Sequence, residues 1–140
     1  MPPTAASPPI APWAAIGFWL ALAIAALQAV NAFRAFAAPA GFATYLGLPL
    51  TDPQDHGFVL VYGLRAAFIA LAVGALLVTR NYSALAWVAL AGLIMPIGDA
   101  ILVSRAGAPV ATIARHVAIG VFLAVTAGVL WLAARPNTGT

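Results

Sequence analysis

Long apolar runs alternate with short polar breaks along the whole chain. The runs extend from about Trp13 to Phe33, Phe58 to Val78, Ala84 to Ser104 and Thr112 to Ala133. Each approaches the roughly 20 residues that a helix needs to cross the hydrocarbon core of a bilayer. The pattern therefore predicts an all-α fold, a four-transmembrane-helix antiparallel bundle. The breaks agree with it. Thr79-Arg80-Asn81-Tyr82 makes a tight connection between spans two and three, and Arg105-Ala-Gly-Ala-Pro109 joins three to four. Residues 1–12 are rich in Pro, Ala and Ser and read as a disordered tail; residues 135–140 read as a second tail. Between them, 13–134 reads as one four-span membrane domain. The amino-terminal stretch lacks the basic region of a signal peptide, so the first span is expected to remain in the mature chain.

The connection between spans one and two is longer than a hairpin needs. Within it Phe42, Tyr45, Leu46 and Leu48 share one apolar face between Pro39 and Pro49. This predicts a short interfacial helix that acts as a lid; an irregular loop packed on the bundle end is the competing reading. Small residues recur every fourth position at Gly17, Ala21, Ala25 and Ala29, at Ala66, Ala70 and Gly74, and at Gly120, Ala124 and Gly128. Such spacing lets helix backbones approach closely in lipid. Packing inside the bundle is the favoured use, and a homo-oligomer seam the alternative. Trp13, Trp87 with Tyr82, and Trp131 fall near span ends on one side, as an aromatic belt does.

Composition narrows the function classes. Of 140 residues, 64% are hydrophobic and 6% charged, against about 25% charged in soluble domains. There is no lysine, glutamate or cysteine. Disulfides, thiolate catalysis, Cys-ligated zinc and iron–sulfur clusters are thereby excluded. A basic tract for nucleic acid is absent too, so nucleic acid is not an expected partner. The expected setting is a multi-pass protein of a bacterial inner membrane or its equivalent, in contact with the lipid bilayer. Arginines are spread almost evenly over the two ends, so charge assigns no orientation.

The few polar residues are not scattered. At 1.5 Å per residue, Arg65 lies roughly 10 Å deep, Asp99 roughly 9 Å and His116 roughly 6 Å, all from the end that carries the long connection. Gln28, Asn31 and Arg34 form a stripe descending from that same end on span one. Ionisable groups within spans are costly and tend to face the interior and pair. Arg65 and Asp99, at matching depths on neighbouring spans, are the expected ion pair, with Tyr62 one turn before Arg65 and His116 beside Asp99. Arg34, Arg105 and Arg115 carry charge at this end, some of it within reach of a cavity. Pro96 frees the carbonyl of Gly92, and Gly92 and Gly98 leave room around the kink.

Residues from four helices exceed what one register-fixing pair requires. The favoured function is binding of a lipophilic small molecule in a polar cavity in one half of the bilayer. Arg65, Tyr62, Asn31, Arg34 and Gln28 would hold the ligand. Asp99 and His116 are the candidate acid/base pair if the bound molecule is isomerised; whether the protein is an enzyme stays open. A small proton-coupled transporter and a structural or assembly subunit of a membrane complex are the alternatives. Asp52, Asp55 and His56 read as solvated loop residues rather than metal ligands, and no cofactor is expected.

Several short motifs resemble one family. They are Arg34-Ala-Phe-Ala-Ala-Pro39 followed by Tyr45-Leu-Gly-Leu-Pro49, Tyr62-Gly-Leu-Arg65, Pro96-Ile-Gly-Asp-Ala100 and Arg115-His116. In order and spacing they resemble an uncharacterised domain-of-unknown-function family of small four-helix integral membrane proteins, over about residues 15 to 134. A looser similarity runs to DoxX-like proteins, which also have four spans. The resemblance implies the four-helix architecture and a membrane location, and brings no activity with it.

Overall fold

The structure, a computed structural model, describes residues 12–52 and 56–135. Apart from Pro12 and Arg135, both expected tails lie outside the described residues, as does Asp55. The helices are α1 (Pro12–Ala37), α2 (Pro39–Leu46), α3 (Gly57–Val78), α4 (Tyr82–Gly92), α5 (Ile94–Arg105) and α6 (Val110–Ala133). α4 and α5 together make one broken span, so four helical rods are long and apolar enough to cross a membrane. The chain is a multi-pass membrane protein of four spans with a short helix after the first.

Local chemistry explains the boundaries. Asn81 caps α4, its side-chain oxygen accepting from the Ala84 amide at 3.1 Å. α2 starts on Pro39, which has no amide to leave unpaired, and ends at Gly47 with φ +93°. The third span breaks where Pro96 cannot donate back to Gly92. Leu93 bonds to Leu90 rather than one residue further back, at 3.2 Å, and the helix restarts at Ile94.

Packing is unequal around the bundle. α1 lies closely against α3, and α6 against α1, α4 and α5. Gly63 permits the first of these contacts: a Cβ there would sit 3.0 Å from the Ala35 methyl. Beyond the break the third span follows α6 alone. α3 meets α4 near the Thr79–Asn81 connection, but no comparable packing joins α3 to α5 among the described residues. A lateral gap results in the half of the bundle beneath α2.

The opposite half is filled. Ala21, Val73, Leu77, Leu85, Ala86, Ala89, Ala127 and Leu130 form a continuous buried cluster there. Of the small-residue repeats Gly17, Ala21 and Ala66 are buried, whereas Ala29, Ala124 and Gly128 are turned outward. Trp87 and Trp131 meet edge to face, 5.0 Å between centroids, near the same end.

Candidate functional site

The interior holds a cavity of about 370 Å³. Its far wall is the buried cluster, with Ala21, Val73, Leu85 and Leu130 lining it. Toward α2 the lining turns polar: Gln28 and Asn31 from α1, Tyr45 from α2, Tyr62 from α3, Asp99 from α5, and Arg115 and His116 from α6. Thus every span contributes, and the polar groups share one depth.

α2 covers this polar end and is held there from below. Arg115 donates through its guanidinium to the Tyr45 carbonyl. His116 Nε2 lies 3.2 Å from the Leu46 carbonyl. Carbonyls in the last turn of a helix lack intrahelical partners, so two side-chain donors satisfy what the helix end leaves open. The Tyr45 ring adds to the clamp, with the Arg34 guanidinium 4.0 Å and the Arg115 guanidinium 3.9 Å from its centroid. Phe42, on the buried face of α2, stacks on Tyr45 and leans on Tyr62, 5.5 Å between centroids. The expected short helix is therefore present, and its packed face is Phe42, Ala43, Tyr45 and Leu46; Leu48 is exposed.

His116 is the best buried polar residue of the site, at 3% exposure. A carbonyl only accepts, so the Nε2 that faces Leu46 is the donor. Nδ1 then faces Asp99 Oδ2 at 3.7 Å, beyond hydrogen-bond range but within ion-pair range.

Arg65 is a correction. It is exposed on the outer face of α3, does not line the cavity, and is not the partner of Asp99. The buried positions of α3 are Val59, Gly63, Ala66, Val73 and Leu77, so its interior face passes beside Arg65 rather than through it. Tyr62 lies on the cavity side, half-buried. Gln28 and Asn31 line the cavity together, the Asn31 amide donating to Gln28 at 3.5 Å. Arg34 does not line it but braces the Tyr45 ring. Arg115 takes the place in the lining that depth alone had given to Arg65. Its adjacency to His116 at the start of the fourth span was the signal for it.

A model of a domain of unknown function, DUF4267, matches residues 25–130. The chain belongs to the DUF4267 family. All the polar residues of the cavity lie inside the matched region of the DUF4267 domain, from Gln28 to His116, and so does the whole of α2. The family likeness read from the sequence motifs is thereby shown; the DoxX likeness is not. No curated protein and no solved structure matches the chain.

Proposed function

We propose that this protein binds a lipophilic small molecule in the cavity beneath α2, within a bacterial inner membrane or its equivalent. The observation that carries this reading is a cavity of about 370 Å³ that is apolar over most of its length and polar at one end. Small-molecule pockets have this makeup, mostly apolar walls with a few convergent polar groups that set orientation. Asp99 and His116 are the acid/base groups at the polar end, where a bound carbonyl, enol or phenol would exchange a proton. Tyr62, Asn31 and Gln28 offer further hydrogen bonds, and Arg115 supplies a fixed positive charge.

The polar groups also do structural work, holding α2, and this is the assembly-subunit reading's strongest support. A filling substitution separates the two. Ile69, half-buried at mid-depth, lines the cavity. Native mass spectrometry of wild type and Ile69→Trp, released from phosphatidylcholine nanodiscs after incubation with dodecanol, measures occupancy. Wild type is expected to retain the alcohol and Ile69→Trp to retain none while keeping its helical circular dichroism. Equal retention by both, or none by wild type, would overturn the reading. Asp99→Asn, which leaves the cavity open, is the second variant and is expected to bind the alcohol still.

A further inference from the structure

The wall of the cavity is not continuous. Among the described residues, those that both line it and stand exposed are Val88, Ala91, Ile94 and Met95. All are apolar, and all flank the break of the third span. The polar lining is better covered: Gln28, Asn31, Tyr62, Asp99 and Arg115 are half-buried and His116 is buried. A residue that meets the cavity and the surroundings at once marks an opening, so the cavity opens beside the break.

Packing explains why the opening is there. A Cβ on Gly92 would stand 3.0 Å from the Leu123 side chain, so this glycine lets the broken turn press against α6. Across the cavity, α3 presents Tyr62, Ile69 and Val73, a stripe at i, i+7 and i+11. In a closed wall α5 would cover that stripe, yet no packing comparable to that of α5 on α6 joins α3 to α5 among the described residues.

Depth decides what can use the opening. Ile94 stands about 18 Å along the span from Tyr82 and about 17 Å from Arg105. The hydrocarbon core of a bilayer is about 30 Å thick. The opening is therefore at mid-membrane, where lipid rather than water meets it. The approach under α2 is barred: Arg115 and His116 hold the Tyr45 and Leu46 carbonyls, and Phe42 leans on Tyr62.

We infer that the break of the third span is a lateral portal, and that the ligand is a molecule dissolved in the bilayer, entering and leaving between α3 and α5 at mid-membrane. Met95, in the lining and at the edge of the opening, is its gate. The inference rests on the cavity reading above.

Exchange kinetics read the route. Protein in phosphatidylcholine nanodiscs is loaded with deuterated octanol or deuterated dodecanol, and each is exchanged against its unlabelled form at one mole fraction in the bilayer. Time-resolved native mass spectrometry follows the loss of bound label. An alcohol leaving into lipid passes from one apolar surrounding to another, so the two should exchange at rates within about threefold of each other. Departure into water exposes four additional methylene groups and would make dodecanol about two hundredfold slower. That slower result overturns the portal and leaves the cavity reading standing; retention of neither alcohol overturns the cavity reading itself. Met95→Trp should slow the exchange of both alcohols severalfold with final occupancy unchanged, since a gate acts on entry and exit alike. An unchanged rate would overturn the assignment of Met95. Ile94→Trp, at a side chain 76% exposed, takes its place if Met95→Trp fails to fold. Gly47→Val, which loosens α2, should leave the rate as it is; faster exchange would move the route to the lid and overturn the portal.

Discussion

The half of the bundle near the Thr79–Asn81 connection and the half beneath α2 are built on different principles. In the first, apolar side chains fill the interior: Leu130 is wholly buried and Leu85 and Val73 nearly so. In the second, Asn31, Tyr62, Asp99, Arg115 and His116 surround a space, beside a smaller buried cluster of Ala35, Phe42, Ala43 and Val59 under α2. Both halves face the same lipid. In lipid there is no hydrophobic gain from hiding one apolar helix behind another, so packing density and polar contacts decide where helices meet. The filled half supplies the packing. It allows the third span to break at Leu93 and α5 to part from α3, because α4 and α6 already hold the span in place. Stability and a site are thus assigned to opposite ends of one short bundle.

Substitutions can break or sharpen this division. The largest effect is expected in the filled half. Leu77→Ala, away from the cavity, should lower stability by about 2–5 kcal/mol, read as an earlier midpoint in denaturing-detergent titration, and should leave dodecanol binding intact in the folded fraction. Next comes the hinge of the lid. Gly47 has φ +93°, and a Cβ there would stand 2.7 Å from the Thr112 methyl. Gly47→Val should cost about 3 kcal/mol, felt as faster hydrogen exchange in α2 with the four spans unaffected. His116→Leu removes the donor to the Leu46 carbonyl and should weaken α2 docking by about 1–3 kcal/mol, again local to residues 39–46 in hydrogen exchange. The smallest effect belongs to Arg65→Gln. An exposed side chain outside both halves should change stability by less than about 0.5 kcal/mol and leave ligand retention as it was.

Arg65 also marks the limit of what the sequence makes legible. Span positions, the short helix between Pro39 and Pro49, the break ahead of Pro96 and the common depth of the polar residues all follow from run length, capping chemistry and the rise of a helix. Depth is a one-dimensional quantity. Which way a side chain faces at that depth depends on the neighbours its helix chooses, and α3 chose α1 through Gly63. One residue along a helix is about 100° of turn, enough to take Arg65 off the face that Ala66 and Tyr62 border. Arg115 was hidden for the opposite reason. It stands near the mouth of the fourth span, where an arginine reads as an ordinary end charge, and only the return of α2 over the bundle makes it interior. The carbonyls of Tyr45 and Leu46 carry no sequence signal as acceptors at all.

The most direct measurement of the division is to find where a bound chain ends. Dodecanol carrying a terminal diazirine would be photolysed with wild-type protein in phosphatidylcholine nanodiscs, and the labelled residues mapped by peptide mass spectrometry. The account predicts labels on the far wall of the cavity, on Val73, Leu85 and Leu130, displaced by excess dodecanol. Labels confined to lipid-facing residues such as Phe68, Leu71 and Val125, unaffected by the competitor, would contradict it.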